Sequence, residues 1–326
     1  MPSIQVSRRL LVQAMAIGSL LLSSMAQAET PTIKLMVGFP PGGGTDAIAR
    51  LLAEKLKQPL GANVIVENKA GAGGQLAAQA LKSSPADGSV LFLSHDHTIS
   101  ILPLVVKNPG YNSAKDFTPV AGFATFANGI ALSGDLAETT LDQFVHAVRT
   151  QHQGKAAVGV PAPQSVPEFL VKVLAAQYKL DLIAVPYKGS APMIADILGK
   201  QIPAAVASVP DFIEFQKAGK LRMVAVMGNK RQEILPETPT FAELGIKDFE
   251  DLPYYGIFAP NGTPSATLER YSNALKVVLD IPTVRQRLVA LGLTVEYMSS
   301  KTLYERERAY SKNWARIITE SKFTVQ

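Results

Sequence analysis

The chain has 326 residues, 47% of them hydrophobic, and a net charge of +5 at neutral pH. That length suggests about two domains and is ample for a core without covalent staples. Cysteine is absent, which excludes disulfides and thiolate metal sites, and the basic residues are scattered rather than gathered in the stripe that nucleic acid requires, so no nucleic-acid partner is expected.

The N-terminus has the layout of a secretory signal peptide. Arg8 and Arg9 precede an apolar run over residues 10–22, and Ala26-Gln27-Ala28 is a small-x-small cleavage site. The run falls short of the roughly 20 residues that a membrane span needs. Cleavage near Ala28 leaves 298 residues, starting near Glu29, and removes two arginines and no acid, so the net charge drops to +3. The arginine pair also suits a twin-arginine signal, but such pairs are common in ordinary signals, and general secretion is the expectation.

A strand-then-helix rhythm follows, the mark of βαβ units. Residues 33–38, 63–66 and 90–93 read as strands, with helices at 47–57 and 74–82 between them. An apolar run from Pro119 to Leu132 reads as a strand crossing between lobes. The rhythm restarts with a helix at 141–149 capped by Thr140. Strands at 156–160, 182–185, 203–207 and 222–226 then alternate with helices at 167–178, 193–198 and 212–218. A strand at 252–259 returns, and helices at 265–279, 283–291 and 302–319 finish the chain. In the last, Leu303, Tyr310, Trp314 and Ile317 share one face and read as core. The pattern predicts an α/β protein of two lobes, each a mostly parallel sheet flanked by helices. Residues 29–125 plus 252–326 form the first lobe, and 126–251 the inserted second lobe.

The strongest local signal is Phe39-Pro40-Pro41-Gly42-Gly43-Gly44-Thr45-Asp46, between the first strand and helix. Three glycines let the backbone turn freely and a ligand come close. Thr45 is placed to cap the helix, whose free N–H groups make an anion site from backbone alone. The spacing Gly42-x-Gly44-x-x-Ala47, with Glu67 further on, also fits a loose dinucleotide fingerprint. Against it stand the double proline, the charge of Asp46 and the export signal. The loop also lacks the Gly-Lys-Ser/Thr ending of a P-loop. A plain structural turn is the third reading. A carboxylate cradle is favoured, with Asp46 fixing the loop through backbone N–H groups. A second cluster, Gly71-Ala72-Gly73-Gly74, opens the next helix and either faces the same crevice or packs against its lobe.

Other chemistry lacks a basis. His95 and His97 fall on one side of a strand, but only His146 and His152 remain to complete a metal site, so no metal is expected. There is no Gly-x-Ser-x-Gly elbow and no evident acid–base pair. Catalytic residues and cofactors are therefore not expected, and the protein reads as a binder rather than an enzyme.

Several stretches together resemble the Bug (Bordetella uptake gene) family, the substrate-binding receptors of tripartite tricarboxylate transporters. They are the segment from Val37 to Asp46, Glu67-Asn68-Lys69-Ala70-Gly71-Ala72-Gly73-Gly74, Lys115-Asp116-Phe117-Thr118-Pro119-Val120, Val185-Pro186-Tyr187-Lys188-Gly189-Ser190-Ala191-Pro192 and Leu235-Pro236-Glu237-Thr238-Pro239-Thr240. The resemblance implies a periplasmic-binding-protein (Venus-flytrap) fold. It implies a carboxylate held between two facing loops by backbone N–H groups, small hydroxyls and water, and membrane transporter subunits as partners. A periplasmic monomer is expected. The second loop departs from the family's Gly-Ser-x-x-His-Leu ending: Gln164 replaces the glycine and Glu168 the histidine, while Ser165 is kept. Pro161, Pro163 and Pro167 remove donors. The expected ligand therefore has a carboxylate at the first loop and an uncharged polar or aromatic end at the second. The candidate ligand residues are Phe39, Pro41, Gly42, Gly43, Gly44, Thr45, Asp46, Ala162, Gln164, Ser165, Glu168 and Tyr187. A receptor serving a transporter is the leading reading. The alternatives are an exported ligand sensor feeding a membrane signalling partner and, less favoured, an exported enzyme using the same cleft.

Overall fold

The computed structural model describes residues 30–320; the expected signal peptide, with its cleavage site, lies outside them. Strand β1 (Thr32–Val37) leads into α1 (Gly44–Leu60), which buries Ile48, Leu51, Leu52 and Leu56, the face its spacing predicts. Each such side chain contributes roughly 1.5–3 kcal/mol on burial. The helix stops at Gly61, whose φ of 53° is the left-handed conformation that ends helices. Then come β2 (Asn63–Asn68), α2 (Gln75–Lys82) and β3 (Val90–His95).

The expected crossing strand is two strands. β4 (Phe117–Phe126) and β5 (Asn128–Ser133) break at Ala127 and lie in different sheets. In the second lobe α3 (Leu141–Gln151) starts at Thr140, whose hydroxyl accepts the Gln143 N–H at 3.2 Å as the capping pattern predicts. β6 (Lys155–Val160), α4 (Val166–Tyr178), β7 (Asp181–Pro186), α5 (Ser190–Leu198), β8 (Ala204–Ser208), α6 (Val209–Lys217) and β9 (Leu221–Val226) follow. The return brings β10 (Tyr254–Pro260), α7 (Ser265–Leu279), α8 (Pro282–Ala290), β11 (Leu293–Met298) and α9 (Ser300–Glu320).

Among the described residues the strands make one sheet in the order β11-β4-β10-β3-β1-β2 and another in the order β7-β6-β8-β5-β9. The two-lobed α/β class therefore holds, but the sheets are mixed rather than mostly parallel. β1 pairs parallel with β2 and β3, and β6 with β7 and β8. β10 pairs antiparallel with β3 and β4, β11 with β4, and β5 with β8 and β9. The double crossing accounts for two of these antiparallel pairs, β4 with β10 and β5 with β9. β4 runs out of the first lobe where β10 runs in, and β5 enters the second where β9 leaves, so each pair meets head to tail.

On α9 the buried face is Leu303, Glu307, Tyr310, Trp314 and Ile318, with Ile318 rather than Ile317 completing the stripe. Trp314 lies 5.7 Å from the ring of Phe169 on α4, so the last helix also packs on the second lobe. The pair His95 and His97 does not share a strand face: His95 ends β3, and His97 opens a separate helical turn, His97–Ile101. Among the described residues no group of three or more metal-binding side chains comes together, and no helix is long and apolar enough to cross a membrane.

Candidate functional site

The first loop is built around Asp46. Gly42, with φ of 88°, makes the left-handed turn that only glycine adopts easily. Its N–H donates to Asp46 Oδ2 at 3.1 Å, Arg50 Nε donates to the same oxygen at 2.9 Å, and Asn68 Nδ2 donates to Oδ1 at 2.9 Å. Asn68 also donates to the Phe39 carbonyl at 3.0 Å, tying the loop to the end of β2. Burial pushes the Asp46 carboxyl up, but the Arg50, Gly42 and Asn68 bonds outweigh it and hold it below its usual value. Thr45 is not the cap. The N-cap is Gly43, two residues earlier, and Thr45 Oγ1 instead hydrogen-bonds the Tyr255 hydroxyl of β10 at 3.0 Å.

The second loop is rigid in a similar way. Ser165 caps α4, donating to the Ala162 carbonyl at 2.7 Å and accepting the Glu168 N–H at 3.4 Å. Gln164 takes a positive φ of 55° and donates its N–H to Glu168 Oε2 at 2.6 Å. Lys172 Nζ lies 2.7 Å from the other Glu168 oxygen. Glu168 is thus a loop brace at N3, reaching back one residue past the N-cap Ser165 to the Gln164 N–H, a variant of the capping box. Glu168→Gln should leave ligand affinity and preference unchanged and cost at most about 1 kcal/mol, because an exposed partner such as Lys172 contributes little. A shift in ligand preference, measured by calorimetry, would place Glu168 in the binding surface after all.

The loops meet at a small cavity of about 50 Å³. Of the expected residues, Phe39, Gly43, Thr45, Ala162 and Ser165 line it. Gly44 sits just behind, its N–H donating to Asp211 Oδ1 across the lobes at 2.9 Å. Pro41 and Gly42 are exposed, and Asp46, Gln164 and Glu168 stand behind the lining as braces. Tyr187 belongs to a neighbouring crevice of about 260 Å³ and donates its hydroxyl to Asp196 Oδ2 at 2.6 Å. Gly71, Ala72 and Gly73 line that crevice too, which shares Phe39 and Pro161 with the cavity.

Sequence reasoning missed the rest of the lining. Ser190 opens α5, Ser208 stands at the N-cap position of α6 without a side-chain cap bond, and Asp211 follows in its first turn; Tyr255, Phe126 and His95 supply an aromatic wall. His95 stacks on Phe39 at 5.0 Å, and Phe126 lies 4.6 Å from Tyr255. His97 is 4% exposed, and neither ring nitrogen has a hydrogen-bond partner among the described residues. Burial, with His95 nearby, drops its pKa to about 4, so the ring is neutral at pH 7. The pattern Ser208-x-x-Asp211 was readable as a helix start; the predicted helix began at residue 212, past both residues.

Four helix starts therefore converge on one space: α1 through Gly43 and Thr45, α4 through Ser165 and Val166, α5 through Ser190, and α6 through Ser208 and Asp211. The first N–H groups of each helix have no intrahelical partner, and each dipole presents positive charge. Among the described residues, no Lys or Arg lines the cavity. Several of these donors are already taken: the Gly44 N–H by Asp211, the Val209 N–H by the Ala127 carbonyl and the Glu168 N–H by Ser165 Oγ, while Pro167 and Pro210 have none. The helix dipoles, the remaining N–H groups and the small hydroxyls are what the cavity offers an anion.

Fold and site together define a two-lobed solute-binding protein. The chain belongs to the tripartite tricarboxylate transporter receptor family, whose pattern it matches over residues 48–323. It is similar to BugT of Bordetella pertussis, 30% identical over 267 residues and 80% of each chain. Among solved structures it resembles the periplasmic binding protein BugD, at 28% identity and TM-score 0.85, covering 90% of this chain and 99% of that one. The R. palustris protein Rpa4515, solved with adipate, is 27% identical with TM-score 0.84, covering 90% and 97%. The family and fold are those of binding proteins rather than enzymes.

Proposed function

We propose that the protein is a periplasmic receptor that captures a small carboxylate-bearing solute between its lobes and passes it to membrane transporter subunits. The observation that carries this reading is the convergence of four helix N-termini on a cavity with no cationic side chain. The adipate held by the R. palustris relative supports the same ligand class. The two lobes, residues 29–125 with 252–326 and residues 126–251, move as rigid halves about the crossings at Ala127 and ahead of β10. Phe39, Gly43, Thr45, Ala162 and Ser165 touch the ligand. It binds the closed form better and shifts the equilibrium toward it, with no chemistry. The protein acts as a monomer and reaches the periplasm by its N-terminal signal.

A thermal-shift screen of mono-, di- and tricarboxylates and aromatic acids tests this reading. A ligand at 100 times its Kd should add about 2.7 kcal/mol of stability by mass action. No response anywhere in the panel would overturn it.

A further inference from the structure

The anion site contains a carboxylate of its own. Asp211 lines the cavity in the first turn of α6, accepting the Gly44 N–H at Oδ1 (2.9 Å) and the Ser208 hydroxyl at Oδ2 (2.6 Å). The other first-turn acids near the site are neutralised: Asp46 by Arg50 and Glu168 by Lys172. Asp211 has no cationic partner among the described residues. His97 cannot supply the charge, because burial keeps its ring neutral at pH 7. The second acid of the lining, Asp96, is occupied by His95 Nδ1 at 3.2 Å and the Tyr310 hydroxyl at 3.0 Å.

A ligand carboxylate drawn to the α1 N-terminus arrives beside Asp211, because Asp211 bonds the first N–H of that same helix. Two carboxylates side by side in a partly enclosed site, with no cation between them, repel. A positive centre on the ligand, a few bonds from its carboxylate, removes the conflict. The rest of the lining suits such a centre. Phe39, Phe126 and Tyr255 line the same space, with one face of Phe39 stacked on His95 and one face of Tyr255 on Phe123; a ring face left open to the cavity attracts a cation. The cavity of about 50 Å³ demands a compact molecule.

We infer that Asp211 is the specificity-determining residue of this cleft, selecting small zwitterions in which a carboxylate lies close to a cationic nitrogen, of the amino-acid or betaine type. The carboxylate sits on the helix N-termini and the nitrogen between Asp211 and the aromatic wall, in place of the uncharged second end that the loop sequence suggested. This inference rests on the carboxylate-receptor reading.

Isosteric pairs test it by titration calorimetry on the full chain: glycine betaine against 3,3-dimethylbutanoate, and alanine against 2-methylpropanoate, with succinate as a plain dicarboxylate. Within each pair only the charge at one atom differs in kind. At least one zwitterion should bind 10-fold or more tightly than its carbon isostere, about 1.4 kcal/mol. Asp211→Asn, whose amide oxygen still accepts the Gly44 N–H, should bring that ratio near one. Isosteres binding as well as the zwitterions, or a ratio unchanged in Asp211→Asn, would overturn the inference. Succinate binding with both zwitterions silent would overturn it too while leaving the receptor reading intact. Silence from every carboxylate would remove both.

Discussion

Gly43→Val is expected to weaken ligand capture at least about 100-fold, some 2.7 kcal/mol, while each lobe stays folded. The backbone at Gly43 has φ −86° and ψ 170°, the extended region that valine prefers. The obstacle is spatial. A Cβ there would lie 2.7 Å from Ser190 Oγ and 3.8 Å from Asp211 Oδ1, and both belong to the second lobe. The Ser190 hydroxyl can rotate away from a single added carbon, but valine adds two more, and they too press on the Ser190 and Asp211 side of the cleft. The collision exists only while the lobes are together, so the variant penalises the closed form and spares the open one. Since the ligand needs the closed form, affinity falls by the same factor as the closed population. Calorimetry gives the affinity, small-angle scattering the loss of closure, and thermal unfolding the intact fold. Retained affinity would return the loop to a mere structural turn. Gly42 is the contrast. Its φ is positive, but a side chain there would meet nothing within 4 Å, so substitution strains the turn without touching closure.

What the sequence made legible follows from the range of the forces involved. The strand–helix alternation, the Thr140 cap and the helix over Ser265–Leu279 rest on local periodicity, and the fold reproduces them. The same holds for Asp46 as a loop brace, since its partners Gly42 and Arg50 are four residues away on either side. β11 was missed although Leu293 and Val295 are buried while Thr294 and Glu296 are exposed, a period of two; the helical segments on either side masked so short a run. The break at Ala127 is invisible in an unbroken apolar stretch, because two sheets bury both halves equally. Ser165-Val166-Pro167-Glu168 carries the capping-box signature, and reading it so would have moved Glu168 from the ligand set to the loop's frame. Asp211 and Tyr255 reach the cavity only through the double crossing, which brings helix starts from both lobes together across more than a hundred residues of chain.

Asp46→Ala should cost about 2–3 kcal/mol of stability and loosen ligand binding, with both effects fading in acid. The substitution leaves the Gly42 N–H, the Asn68 amide and the Arg50 guanidinium without their shared acceptor, and bonds to a charged group contribute the most. Asn68 keeps its bond to the Phe39 carbonyl, so the loop frays rather than unfolds. The sign of the pH effect follows from the depressed carboxyl. The folded chain holds Asp46 ionised more tightly than the unfolded chain does. Its contribution is therefore complete above the unfolded value of about 4 and is lost as pH falls through the lower folded value. Alanine has nothing to titrate. The stability gap between the parent and Asp46→Ala, measured by denaturant titration, should be constant from neutrality down to about pH 5 and narrow below about pH 4. A gap that widened in acid, or one absent at pH 7, would mean that Asp46 does not hold the loop. Ligand affinity should follow the same course, because Gly43 and Thr45 keep their places in the cavity lining only while the turn before them is fixed.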